Sequence, residues 1–203
     1  MSTKNSIFTL IYHFIFAITS SVVGALIASW PLLIVFVLVQ KTSQTVNLTL
    51  GQIMHNYNQL LWYLIWPLQT KLAMTDFPTS PLAAEHFAEV KRLFILAIVA
   101  FLCCLVIYLL HKKNKNNKAL KLNKVWALLF LLLPIALLPF ALTNFDSFFI
   151  AFHHLFFAGS NTWLFDPATD PIINVLTEGF FASCFAVAGI IYELYFAQKL
   201  LGQ

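Results

Sequence analysis

The sequence predicts an all-α integral membrane protein with four transmembrane helices. Both termini lie inside, and two extracytoplasmic segments contain interfacial helices. Three observations lead there. The 203 residues are 60% hydrophobic and only 10% charged, whereas a soluble domain carries roughly 25% charged residues. That apolar excess cannot be hidden inside so short a chain and calls for a covering of lipid. Four apolar runs approach or exceed the roughly 20 residues that a spanning helix needs. Finally, Lys112, Lys113, Lys115, Lys118, Lys121 and Lys124 cluster between two of those runs, which marks a short cytoplasmic loop by the positive-inside rule.

The first run, residues 7–39, holds no charge at all. It is longer than a span requires, so a tilt, or a bend near Gly24 or Pro31, is expected. It is also too long for a cleavable signal peptide and reads as an uncleaved anchor. The second span, residues 93–110, is bounded by Lys91-Arg92 and by His111-Lys112-Lys113. The third, residues 125–142, carries Pro134 and Pro139 as expected kink sites. The fourth covers residues 179–194. Outer segments 41–92 and 144–177 and the cytoplasmic loop 111–124 complete a single membrane domain over residues 1–203. In this topology Lys4, the loop lysines and Lys199 fall inside, while every acid except Glu193 falls outside. A functional site is therefore expected in the outer segments, where most histidines also lie. No nucleic-acid partner is expected, because the lysine block lacks interleaved aromatics and is pinned between spans.

In the first outer segment, Ser80-Pro81 is a helix-start signal, with serine as cap and proline at the first helical position. Nothing after it breaks the helix before Leu110, so the second span should project above the bilayer. His86 would then stand about 10 Å along the axis beyond Leu93, at the depth of lipid headgroups and ester carbonyls. In the second outer segment, Phe145, Phe148, Phe149, Phe152 and Phe156 follow helical spacing, as in a helix lying in the interface. Asp166-Pro167 marks a turn, and Asp170-Pro171 can cap the next helix.

Two constellations could carry chemistry. His86 and Glu89 are three residues apart and share a helix face, so the carboxylate can hold the imidazole in one tautomer. His153 and His154 sit among phenylalanines, and one of the two must point away from any shared site. A third group, Asn56-Tyr57 with Trp62-Tyr63 and Pro67, reads as an aromatic interface belt or as a hydroxyl and amide polarising an ester. Metal ligands could be drawn from His86, Glu89, His153 or His154, and Asp166 or Asp170. No His-Glu-x-x-His or Cys-x-x-Cys pattern supports them, and neither metal nor cofactor is expected. There is no Gly-x-Ser-x-Gly elbow and no Gly-rich phosphate loop. Cys103, Cys104 and Cys184 lie in apolar runs and read as small hydrophobes.

The stretch from Phe152-His153-His154-Leu155-Phe156-Phe157 through Trp163-Leu164-Phe165-Asp166-Pro167 to Asp170-Pro171-Ile172-Ile173 resembles the signature of the bacterial lipoprotein intramolecular transacylase family. Asn56-Tyr57 with Tyr63-Leu64 and Pro67, and His86 through Val90-Lys91 with Leu93-Phe94, agree in the same order from about residue 50 onward. This chain has Glu89 where the family has aspartate, and Leu176-Thr177-Glu178 where the family has Leu-Pro-Glu. The resemblance aligns the family histidine with His153 rather than His154. It implies a multi-pass protein of the bacterial cytoplasmic membrane with its active site on the extracytoplasmic side.

The implied substrate is the N-terminus of a diacylated lipoprotein. Its free α-amine attacks the sn-2 ester of its own diacylglyceryl-cysteine, giving an N-acyl, lyso-form lipoprotein without an acyl-enzyme. His86 and His153 are the implied acid–base pair. Supporting or substrate-binding roles fall on Glu89, Asn56, Tyr57, Tyr63, Lys91, Arg92, Trp163, Asp166 and Asp170. Two other readings stand beside this one: a metal-dependent lipid hydrolase of the outer leaflet, and a non-catalytic transport or assembly partner.

Overall fold

The computed structural model describes residues 6–113, 120–157 and 160–202, with Leu137 described by its backbone only. Lys4, Lys115 and Lys118 of the expected inner charge set lie outside the described residues. The described chain is all helical: α1 (Ile7–Val39), α2 (Thr42–Val46), α3 (Leu50–Ile65), α4 (Pro81–Lys113), α5 (Lys124–Thr143), α6 (Phe145–Phe156), a 3-10 turn (Pro171–Asn174) and α7 (Glu178–Leu201). Helices α1, α4, α5 and α7 are each long and apolar enough to cross a membrane. At most 17% of the most apolar window of any of them is buried within the protein. Their outward leucines, isoleucines and valines, such as Leu96, Val99, Leu102 and Val106, are exposed from the protein's own packing. In a multi-pass membrane protein, lipid covers such a surface.

The helix starts follow local chemistry. Ser80 caps α4, accepting from the Ala83 amide at 3.1 Å, and Pro81 takes the first position. The helix then runs unbroken for 33 residues to Lys113, as the absence of a breaker predicts. Asn144 caps α6 through the Ser147 amide at 2.9 Å. Helix α3 begins with a capping box, in which Thr49 and Gln52 each satisfy the other's backbone amide. Thr49-x-x-Gln52 is a legible start signal for this helix, ahead of the aromatic group that it carries. Lys41 and Asn47, at either end of α2, adopt left-handed backbone conformations with φ of 56° and 53°.

Two compact units can be described separately. The first comprises residues 1–27, 97–143 and 185–203. Its core is Ala17, Leu122, Ala127, Tyr192 and Phe196. There the buried His13 ring donates from Nε2 to the Leu120 carbonyl at 2.8 Å and accepts from the Tyr195 hydroxyl at Nδ1, 2.6 Å away. Both ring nitrogens are thereby satisfied away from water. A Cβ at Gly24 would meet the tip of the Ile191 side chain, which would have to swing aside.

The second unit comprises residues 28–96 and 144–184. Its larger core gathers Leu33 and Val37 from α1, the inner face of α3, Phe77, Ala83 and Phe87, and Ile172, Val175, Leu176 and Phe180. Helix α3 buries Ile53, Asn56, Tyr57, Leu60 and Leu64. These fall at the three- and four-residue spacing of one helical face.

Candidate active site

All the residues of the candidate site belong to the second unit. Helix α4 turns one face inward at Ala83, His86 and Phe87, the i, i+3, i+4 pattern of a buried stripe. The start of that helix is fixed from a distant part of the chain. Asp170 Oδ1 accepts from the Ser80 amide at 2.7 Å, and Asp170 Oδ2 accepts from the Thr169 hydroxyl at 3.0 Å. His86 follows Ser80 by less than two turns, so this contact sets its position.

Helix α6 supplies the second imidazole. Its register buries His153 and leaves His154 exposed. His153 Nδ1 lies 2.7 Å from the Phe149 carbonyl. A carbonyl can only accept, so Nδ1 carries the proton and the neutral ring keeps its lone pair at Nε2. Burial holds the His153 pKa below the ordinary imidazole value; the bond to Phe149 opposes that shift and the charge of His154 adds to it.

The two rings meet with centroids 5.6 Å apart and planes inclined at 32°. Aromatic side chains wall them in. The Phe157 ring lies 4.8 Å from His86 and 5.6 Å from His153. Phe165 meets the His86 ring edge to face at 5.7 Å. Phe149 and Trp163 pack on His153 at 4.1 and 4.7 Å. Such rings exclude water, and their faces can stabilise an imidazolium.

Glu89 stands one turn from His86, with Oε2 3.7 Å from His86 Nδ1. That is ion-pair range but too long for a hydrogen bond. Among the described residues, His86 Nδ1 is buried without a hydrogen-bond partner. The same Glu89 oxygen accepts from the Thr162 hydroxyl at 3.0 Å. Thr162 in turn lies 2.7 Å from Ser160 Oγ.

Of the residues singled out in the sequence, His86, His153, Glu89 and Trp163 come together here. The others make framework contacts. Asn56 is fully buried; its amide donates to Asp76 Oδ2 at 2.6 Å and accepts from the Asp76 amide at 2.9 Å. The Tyr57 hydroxyl donates to Ser29 Oγ at 2.6 Å, and burial raises its pKa well above the usual phenol value. Lys91 Nζ donates to the carbonyls of Trp66, at 2.9 Å, and Gln69, and lies 4.4 Å from the centre of the Tyr63 ring. It thus closes off the end of α3. Asp166 accepts from the Ala168 amide at 2.9 Å in a local turn. Arg92 is exposed. Among the described residues, no group of three or more His, Cys, Asp or Glu side chains is placed to hold a metal ion. Thr162, Phe157 and Phe165 join the site without being singled out for it from the sequence: Thr162 and Phe165 meet partners remote in the chain, while Phe157 lies one turn after His153 and was within reach of that spacing.

Comparison with known proteins gives a concordant picture. Residues 7–181 match the family model of Lipoprotein intramolecular transacylase Lit. No curated protein sequence matches significantly. Among solved structures, the membrane integral lipoprotein intramolecular transacylase Lit from Bacillus cereus superposes with a TM-score of 0.78 at 23% identity, covering 94% of this chain and 90% of that one. Two further structures of the Bacillus cereus protein, one with a histidine replaced by arginine and one with a histidine replaced by alanine, each give 0.72 at 22% identity. They cover 94% of this chain, and 86% and 88% of theirs. With a family model that spans most of its length, this chain belongs to the lipoprotein intramolecular transacylase family and is a multi-pass membrane acyltransferase.

Proposed function

We propose that this protein moves the sn-2 acyl chain of a diacylglyceryl-cysteine onto the α-amine of the same cysteine, with His86 and His153 as its acid–base pair. The observation that carries the reading is the meeting of two buried imidazoles, from segments far apart in sequence, at 5.6 Å. The α-amine has an ordinary pKa of about 7.7–8.0, so it needs only modest help to lose its proton.

The amine nitrogen attacks the ester carbonyl and forms a tetrahedral adduct. His153, whose Nε2 lone pair is free, takes the proton that the nitrogen releases. The proton passes to His86, and the Glu89 carboxylate stabilises the resulting imidazolium. The carbon–oxygen bond to the glyceryl sn-2 oxygen then breaks, and His86 protonates the departing alkoxide. The products are an N-acyl amide and a free sn-2 hydroxyl, and both rings end neutral as they began. Nucleophile and ester belong to one molecule, so holding the folded-back conformer supplies much of the rate. The distribution of lysines and acids supports a site on the extracytoplasmic side.

The test uses purified protein and a synthetic diacylated lipopeptide in detergent without phospholipid, read by mass spectrometry of the N-terminus. Conversion to the N-acyl lyso form is expected. Conversion that survives alanine at both His86 and His153 would remove the assignment.

A further inference from the structure

We propose that Thr162 is a positioning residue of this active site: its hydroxyl holds the Glu89 carboxylate facing Nδ1 of His86, within ion-pair range of that ring when it is charged. The inference rests on the histidine reading above and extends it to a residue whose hydrogen bonds go to Glu89 and Ser160 rather than to either imidazole.

Five observations support it. Thr162 is buried, 7% exposed, so its hydroxyl is placed by the fold rather than by solvent. The hydroxyl lies 3.0 Å from Glu89 Oε2, and a carboxylate oxygen accepts, so Thr162 donates. A hydroxyl has one proton, so the 2.7 Å contact to Ser160 must run the other way, with Ser160 donating to Thr162. The Thr162 amide approaches Ser160 Oγ at 3.2 Å, which closes the turn. The chain Ser160 to Thr162 to Glu89 therefore has a single polarity and ends on the oxygen that faces His86 Nδ1 at 3.7 Å.

The unpartnered Nδ1 gives this arrangement a purpose. A buried ring nitrogen without a hydrogen bond costs stability. That cost is relieved when the ring is charged and the carboxylate closes the remaining distance. Burial and the neighbouring His153 push the His86 pKa down to about 4, and Glu89 opposes that shift, so the ring rests neutral and the carboxylate favours the charged ring that forms only during transfer; interactions of that kind raise turnover rather than binding. Without the threonine, Glu89 is free to rotate toward Arg92, three residues on and exposed. The same short turn also carries Trp163, whose indole nitrogen donates to the Ser160 carbonyl at 3.2 Å and whose ring packs on His153. One turn thereby positions the partners of both histidines.

The experiment is a double-mutant cycle on the full protein in detergent with the diacylated lipopeptide. Thr162→Val should lower kcat about tenfold with KM nearly unchanged, Thr162→Ser should restore most of it, and adding Thr162→Val to Glu89→Gln should cost little more than Glu89→Gln alone. Thr162→Ala carries the same test if the valine variant does not fold. Equal losses for the serine and valine variants, a loss confined to KM, or strictly additive effects with Glu89→Gln would overturn the role. If His86→Ala is inactive while Thr162→Val is fully active, only this inference falls. If His86→Ala is active, the histidine reading itself falls.

Discussion

Replacing His153 with alanine is expected to slow acyl transfer by about 10²–10⁴-fold, the usual contribution of a positioned acid–base group. The bond from Nδ1 to the Phe149 carbonyl makes the prediction sharper. His153→Asn can still donate to that carbonyl but has no basic nitrogen, so it should be as slow as alanine. His154→Ala, one residue away and exposed, should stay within about threefold of the parent, because surface substitutions rarely matter. The pH dependence follows from the lowered pKa. A depressed value keeps His153 neutral and competent below the ordinary imidazole pKa of about 6.5, so loss of activity between pH 8 and 7 should track the substrate amine instead. For stability the sign is fixed by linkage: the unfolded chain takes up this proton first, so the contribution of His153 is fully present above the unfolded imidazole pKa of about 6.5 and is lost as pH falls from there through the lower folded value. Initial rates across pH, with the thermal midpoint of each variant as a folding control, check these outcomes.

The second large effect is structural. Asp170→Ala is expected to destabilise the protein by about 2–4 kcal/mol, because it strips the Ser80 amide and the Thr169 hydroxyl of a buried charged acceptor. Asp170 is 3% exposed, so water cannot readily replace it. The contact joins residues 90 apart in sequence at the first turn of α4, and His86 rides on that turn's continuation. Activity should therefore fall along with the thermal midpoint, unlike in His153→Asn, which keeps the bond to Phe149 and should lose far more activity than stability. Asp170→Asn, which keeps an acceptor oxygen, should recover part of both. Nano-differential scanning fluorimetry in one detergent, alongside the lipopeptide assay, separates the two classes.

What could be read in the sequence depended on how local its cause was. The four spans follow from composition over windows of about 20 residues. The unbroken 33-residue length of α4 follows from Ser80-Pro81 and the lack of any later breaker. Helix α6 follows from the spacing of its phenylalanines. The candidate pair His86 and His153 was reachable because the motif resemblance selects among the histidines, and the register of α6 independently buries His153 rather than His154.

The partners of those residues were not legible. Nothing near Thr162 in sequence points to Glu89, 73 residues earlier. The aspartates of the two Asp-Pro pairs carry the resemblance, yet Asp170 does not cap the 3-10 turn that follows it, as its spacing suggested, but holds the distant Ser80 amide, and Asp166 closes a local turn. Asn56 and Tyr57 likewise hold Asp76 and Ser29. Motif residues report both chemistry and scaffold, and only tertiary contacts separate the two.

The most direct test is whether the acyl chain stays with its own peptide. Two lipopeptides of different mass would be mixed with the purified protein, one carrying a deuterated sn-2 chain and the other an ordinary one. Intramolecular transfer between amine and ester held at the two histidines leaves the label on the amide of its own peptide alone. Label found on the amide of the other peptide, or released as free fatty acid, would contradict it.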